Sequence, residues 1–127
     1  MTDWREMAKD QLRQYPRNQD AAARLGQQIV LLQERACDAP EKMELVSRLA
    51  ELKLQRRQLQ VWLEQMEKAL GRLKQEDFLL LRAMYMHARP NEADRQSIRT
   101  GQARATVFRK CNRALERFTL ALYGAVQ

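Results

Sequence analysis

The chain has 127 residues, of which 45% are hydrophobic and 31% charged, with only four Gly and three Pro. That is the size of one ordinary domain, or of a small domain with a helical extension. The net charge of +7 favours a polyanionic partner, and no apolar run approaches the roughly 18 residues that a membrane span needs.

Ala, Leu, Glu, Gln, Lys and Arg dominate, while Val, Ile and Thr are sparse. Straight-chain residues lose little rotamer freedom in a helix, and no stretch alternates with a period of two. The composition therefore predicts an all-α protein. The start, "MTDWREMAKD", is charged and amphipathic, unlike a secretory signal. Cys37 and Cys111 lie far apart and match no metal or redox spacing, so reduced bystander thiols in the cytoplasm are expected.

The first helix carries Ala22, Leu25, Ile29, Leu32 and Ala36 at alternating three- and four-residue spacing, and Ala8, Leu12 and Tyr15 extend the face toward the N-terminus. Pro16 has no amide hydrogen and should kink or break that helix near Tyr15. In "ACDAPEKM", Asp38 reads as the N-cap of the next helix, Pro40 suits its first turn and Glu41 completes a capping-box spacing.

Residues 41–73 then carry an apolar heptad: Leu45, Leu49, Leu52, Arg56, Leu59, Leu63, Met66, Leu70 and Leu73, broken only at Arg56. In an antiparallel pair, facing residue numbers add to a constant. Leu32 with Leu45, Ile29 with Leu49, Leu25 with Leu52, Tyr15 with Leu63, Leu12 with Met66 and Trp4 with Leu73 all add to 77 or 78. Residues 1–72 are therefore expected to form an intrachain hairpin in the manner of a coiled coil. Its register sets Arg56 opposite Ala22, with Asp20 as a nearby ion-pair partner. Val30, Leu31, Leu54, Val61 and Trp62 lie off this seam, either as scattered surface residues or as a cover for the C-terminal domain or a second subunit.

Past Leu73 the rhythm changes. Residues 73–127 hold ten Lys and Arg against five Asp and Glu, whereas residues 1–72 hold 13 against 11. "KQEDFLLLRAMYMHA" predicts a more fully buried helix with Phe78, Leu81, Met84 and Tyr85 on one side. Pro90 then stops it, and Asn91 can cap a short helix over about 92–99. After Thr100–Gly101, a last helix over about 103–123 ends at Gly124. Its apolar stripe is Val107, Cys111, Ala114, Leu115, Phe118 and Leu122.

Two helices joined by a glycine turn, the second basic on its outer face, form the pattern of a helix-turn-helix. From Arg95 through Leu115 the sequence contains no acidic residue. With the stripe turned inward, Gln102, Arg104, Ala105, Phe108, Arg109 and Asn112 are the outward set. Such a helix fits the major groove of duplex DNA: Arg104 and Arg109 offer bidentate donors to guanine, while Gln102 and Asn112 have amides that suit adenine. Arg95, Arg99, Lys110 and Arg113 are placed for backbone phosphates, which position the helix without reading sequence.

"ATVFRKCNRALERF" resembles the end of the promoter-reading C-terminal domain (region 4) of sigma-70-type sigma factors. There a Ser-x-x-Thr-Val run opens the recognition helix, and Arg-Ala-Leu follows at the spacing seen between Val107 and Arg113-Ala114-Leu115. Gly101 falls at the family's turn glycine, and "LLLRAMY" is similar to its first helix. "WREMAKDQLRQYP" followed by a helical hairpin resembles small phage transcriptional regulators of the ArpU/RinA type. Those resemblances imply sequence-specific binding to double-stranded DNA, in phage or prophage late-gene control within a bacterial host cell. Where the sigma pattern has an Ile-Ala pair and a later Leu, this chain has Gln96, Ser97 and Thr100, which predicts that the helix over 92–99 is loosely packed, shifted in register or partly unfolded without DNA. Ala103 stands in place of the usual cap Ser.

No catalytic constellation is visible. His87 is the only histidine, and Glu76–Asp77 lie in a helix's first turn, where carboxylates suit the macrodipole. No enzyme activity, metal or other cofactor is expected. A second copy of the chain (as a homodimer) or RNA polymerase would be the protein partner, and no membrane is expected. The rival reading is a helical protein–protein adaptor or RNA-polymerase-binding factor without DNA sequence specificity of its own.

Overall fold

A computed structural model of the chain describes residues 3–38 and 42–124. Most of these residues are helical, with no strand among them: α1 (Trp4–Asp38), α2 (Met43–Gly71), α3 (Gln75–Leu81), a π-helical turn (Arg82–Met86), α4 (Glu92–Thr100) and α5 (Arg104–Tyr123). Two compact units divide the chain, one of Met1–Pro16 with Gln65–Gln127 and the other of Arg17–Glu64.

Local chemistry explains most helix ends. Asp3 caps α1, accepting the amide of Arg5 at 3.0 Å through its carboxylate. Asp38 is the last residue of α1, not the cap of α2, which begins at Met43. Instead the carbonyl of Lys42 accepts the amides of Leu45 and Val46; Pro40 and Glu41 lie outside the described residues. Bonds from Arg72 to Ala69 and from Leu73 to Leu70 tighten the end of α2.

Pro16 does not break α1, which runs through it. An interior proline costs roughly 3 kcal/mol. That cost is outweighed because the preceding turn is anchored: Leu12 is fully buried and Tyr15 nearly so, with the Tyr15 hydroxyl donating to Glu67 Oε1 at 3.2 Å.

In the unit Arg17–Glu64, Ala22, Ile29, Leu52 and Leu63 are buried. Leu25, Leu32, Leu45, Leu49 and Leu59 are half-buried. Arg56 reaches Ala22, as the register predicts, its Nε donating to the Ala22 carbonyl at 3.2 Å. Asp20 is not its partner: that carboxylate pairs with Arg24 on its own helix at 2.8 Å. The guanidinium occupies the space left by Gly26, where an added Cβ would stand 2.9 Å from Arg56 Cζ.

In the other unit, α5 supplies the centre. Val107, Cys111, Ala114, Leu115 and Phe118 are buried at helical spacing, joined by Ala8 and Leu12 of α1, Met66, Ala69 and Leu70 of α2, and Leu81, Met86 and Ala93. Lys9 and Arg13 of α1 each stand 5.9 Å from the centre of the Tyr85 ring, and Gln11 Nε2 donates to the Tyr123 hydroxyl. The helix expected through "KQEDFLLLRAMYMHA" changes pitch: the His87 amide reaches the Arg82 carbonyl at 2.8 Å, five residues back. Leu81 and Met86 are buried, while Phe78, Met84 and Tyr85 are only half-covered.

Gly26→Ala should bring little of the roughly 1 kcal/mol that Ala gains over Gly inside a helix, because its methyl displaces the Arg56 guanidinium from the Ala22 carbonyl. In an Arg56→Ala background the full gain should return. Denaturant midpoints of the two singles and the double measure the coupling; additive effects would contradict it.

Candidate nucleic-acid interface

The stripe on α5 dictates which side chains face outward. With Val107, Cys111, Leu115 and Phe118 at 0–2% exposure, Arg104, Ala105, Phe108, Arg109, Asn112 and Arg113 are exposed, and Gln102 and Lys110 half-exposed. Arg95 and Arg99 are exposed on α4. Every residue expected to face a nucleic acid therefore lies at the surface of α4, the turn or α5, and the guanidinium groups are not sealed beneath neighbouring chain. The Arg104 guanidinium lies 5.5 Å from the centre of the Phe108 ring, a cation–π contact that gives both side chains a common orientation.

Arg109 Nη2 donates to Thr106 Oγ1 at 3.4 Å, Arg95 Nε to the Pro90 carbonyl at 3.2 Å, and Arg99 Nη2 to Gln96 Oε1 at 2.6 Å. The stretch without acidic residues does acquire carboxylates through space. Asp94 comes within 3.7 Å of Arg104, and Glu76 of α3 within 3.8 Å of Lys110. These pairs are long and exposed, so they offset little of the positive charge.

The turn is stitched by hydroxyls. Ser97 Oγ donates to the Gln102 carbonyl at 2.6 Å, Thr100 Oγ1 donates to the Gln96 carbonyl at 2.7 Å, and Gly101 takes φ +69°, a left-handed conformation that suits glycine. Gln102 thus sits in the turn itself. Ala103, in extended backbone ahead of α5, supplies no side-chain cap. Asn91 is also no capping side chain: it is left-handed at φ 59°, and only its carbonyl serves α4.

The helix over Glu92–Thr100 is packed rather than loose. Gln96 is 5% exposed and Glu92 6% exposed. Gln96 Nε2 donates to Glu92 Oε1 at 3.0 Å, and Arg89 Nε to Glu92 Oε2 at 3.3 Å. The buried surface at Gln96 and Glu92 is thus polar, with its side-chain atoms partnered. Ile98, which does not share that face, is 84% exposed.

One positioning contact had no signature in the sequence. Asp77, 8% exposed, accepts Arg117 Nη1 at 2.7 Å and ties α3 to α5. Among the described residues no group of His, Cys, Asp and Glu could hold a metal ion, and no helix is long and apolar enough to cross a membrane.

Beneath the basic face, burial pushes the Cys111 thiol up to about 11, with Lys9 opposing. Burial, with Cys111 adding, likewise pushes the Tyr85 phenol up to about 12. Both groups fold in their neutral forms. The unfolded chain loses these protons first, so their contribution is intact below pH 9 and is lost as pH rises toward 11 and 12. Denaturant midpoints should fall from pH 8 to pH 10.5, and Cys111→Ala should flatten the lower part of that fall; an unchanged profile would contradict the burial. Compared with models of protein families, with curated proteins and with solved structures, the chain matches none.

Proposed function

We propose that the protein is a sequence-specific regulator of transcription that binds double-stranded DNA, with α4, the Gly101 turn and α5 acting as a helix-turn-helix of the sigma region 4 kind. The observation that carries this reading is that Arg95, Arg99, Arg104, Arg109 and Arg113 are all exposed on α4 and α5, while Val107, Cys111, Leu115 and Phe118 of α5 are buried to 2% or less. In this reading α5 lies in the major groove. Arg104, Arg109 and Asn112 approach base edges, with Gln102, Ala105 and Phe108 beside them. Arg95, Arg99, Lys110 and Arg113 hold phosphates. The proposed setting is phage or prophage late-gene control in the cytoplasm of a bacterial host.

We further propose that α1 and α2 form a long antiparallel hairpin. The bond from Arg56 to Ala22 supports its register. The rival reading, a protein–protein adaptor or polymerase-binding factor, draws on Val30, Leu31, Leu54 and Val61, each 47–60% exposed in the unit Arg17–Glu64. Exposed apolar side chains of this kind suit RNA polymerase or a second copy of the chain.

Gel-shift titration of duplexes selected from a random pool, across a salt series, separates the two readings. Affinity should fall with salt by about 0.9 log units per decade for each phosphate neutralised. Arg109→Ala should cost about 1–3 kcal/mol on selected sites and less on random duplex. Arg113→Ala should weaken both equally. A protein that shifts no duplex at low salt would leave the adaptor reading.

For the hairpin, Leu52→Asp should melt the Arg17–Glu64 unit, because it places a charge at a position 2% exposed. A helical circular dichroism signal and thermal midpoint equal to those of the parent would rule the seam out.

A further inference from the structure

A groove of about 350 Å³ lies between the π-helical turn and α4, on residues that the duplex reading does not fully use. Four arginines line it: Arg82 from the π-helical turn, Arg89 from the connection, and Arg95 and Arg99 from α4, together with His87. Leu79 and Ala83 also line it, adding an apolar surface.

The lining holds a single carboxylate, Glu92. It is 6% exposed and already accepts hydrogen bonds from Arg89 and Gln96. The groove therefore gathers like charge with little internal compensation. Such a collection is unfavourable until an anion enters, and the attraction is stronger in a recess than on a flat surface.

We infer that this groove is a phosphate-binding site for a small phosphate ester of nucleotide size. Arginine favours that chemistry over a simple cation site, because its planar fork offers two parallel N–H donors to phosphate oxygens. The volume lies at the lower end of the roughly 300–1,000 Å³ found for small-ligand pockets. Leu79 and Ala83 give a base or sugar something to lie against.

Buried Gln96 sets the geometry of one wall. Its Oε1 takes Arg99 Nη2 at 2.6 Å and its Nε2 gives to Glu92 at 3.0 Å. Arg95 is fixed in turn by its bond to the Pro90 carbonyl at 3.2 Å. Both α4 arginines of the groove are thus oriented by the protein itself, which lowers the ordering cost of binding. Arg82 faces them from the other element.

The same phosphate chemistry can come from a free nucleotide or from the backbone of a bound duplex. The inference does not require the duplex reading, and its test separates the two. Calorimetric titration of the full chain with adenosine diphosphate and with pyrophosphate should give saturable one-to-one binding. Arg82→Gln should weaken it about tenfold or more, and Arg82→Lys should restore only part, since lysine keeps the charge but not the fork. Arg48→Gln, an exposed change elsewhere that removes the same charge, should change it by about twofold at most.

Arg82 is exposed, so thermal melting should match the parent in each variant. Tighter binding of the nucleotide than of pyrophosphate assigns the groove to a free ligand. Displacement of the nucleotide by a short duplex, with the same Arg82→Gln loss for both, assigns it to backbone phosphate. No saturable heat up to about 1 mM, or equal losses in Arg82→Gln and Arg48→Gln, would overturn the inference. Duplex binding that persists in that case would leave the proposed function standing.

Discussion

The burial of one edge of α5 is the constraint on which the basic surface depends. Val107, Cys111, Ala114, Leu115 and Phe118 leave at most 2% of their surface to water, and a helix with one edge committed cannot rotate. Fixing that edge turns Arg104, Arg109 and Asn112 outward, whatever contacts they then make at the surface. Burying a large aliphatic or aromatic side chain is worth about 1.5–3 kcal/mol, whereas the exposed ion pairs of Arg104 and Lys110 contribute at most about 1 kcal/mol each. The hydrophobic term aims the cations.

The core around that edge draws on distant chain. Leu12 and Met66 are as deeply buried as the residues of α5, and the first turns of α1 and the last of α2 belong to the same compact unit as α3, α4 and α5. Lys9 and Arg13 over Tyr85, and Gln11 on Tyr123, close that packing with polar contacts at its rim. The result couples the stability of the basic helix to residues near the other end of the chain.

Periodicity made much of this legible. The stripe of α5, the turn at Gly101 and the end at Gly124 follow from spacing of 3.6 and from the needs of left-handed backbone. The approach of Arg56 to Ala22 followed from comparing two heptads. What could not be read were interactions without a local pattern. Asp77 and Arg117 are 40 residues apart and carry no periodic mark. Asp94 and Glu76 reach Arg104 and Lys110 only after folding. The π-helical turn depends on which side chains the core accepts, so a continuous helical pattern conceals it. Gln96 reads as a misfit until Glu92 and Arg99 are seen to satisfy both ends of its amide.

Pro16 leaves one rung missing from the hydrogen-bond ladder of α1, and it does so at the residue where one compact unit of the chain gives way to the other. A ladder with a missing rung transmits opening poorly. Backbone amides on the two sides of this proline can therefore exchange with solvent on separate schedules, and one long helix can belong to two units that lose their structure independently.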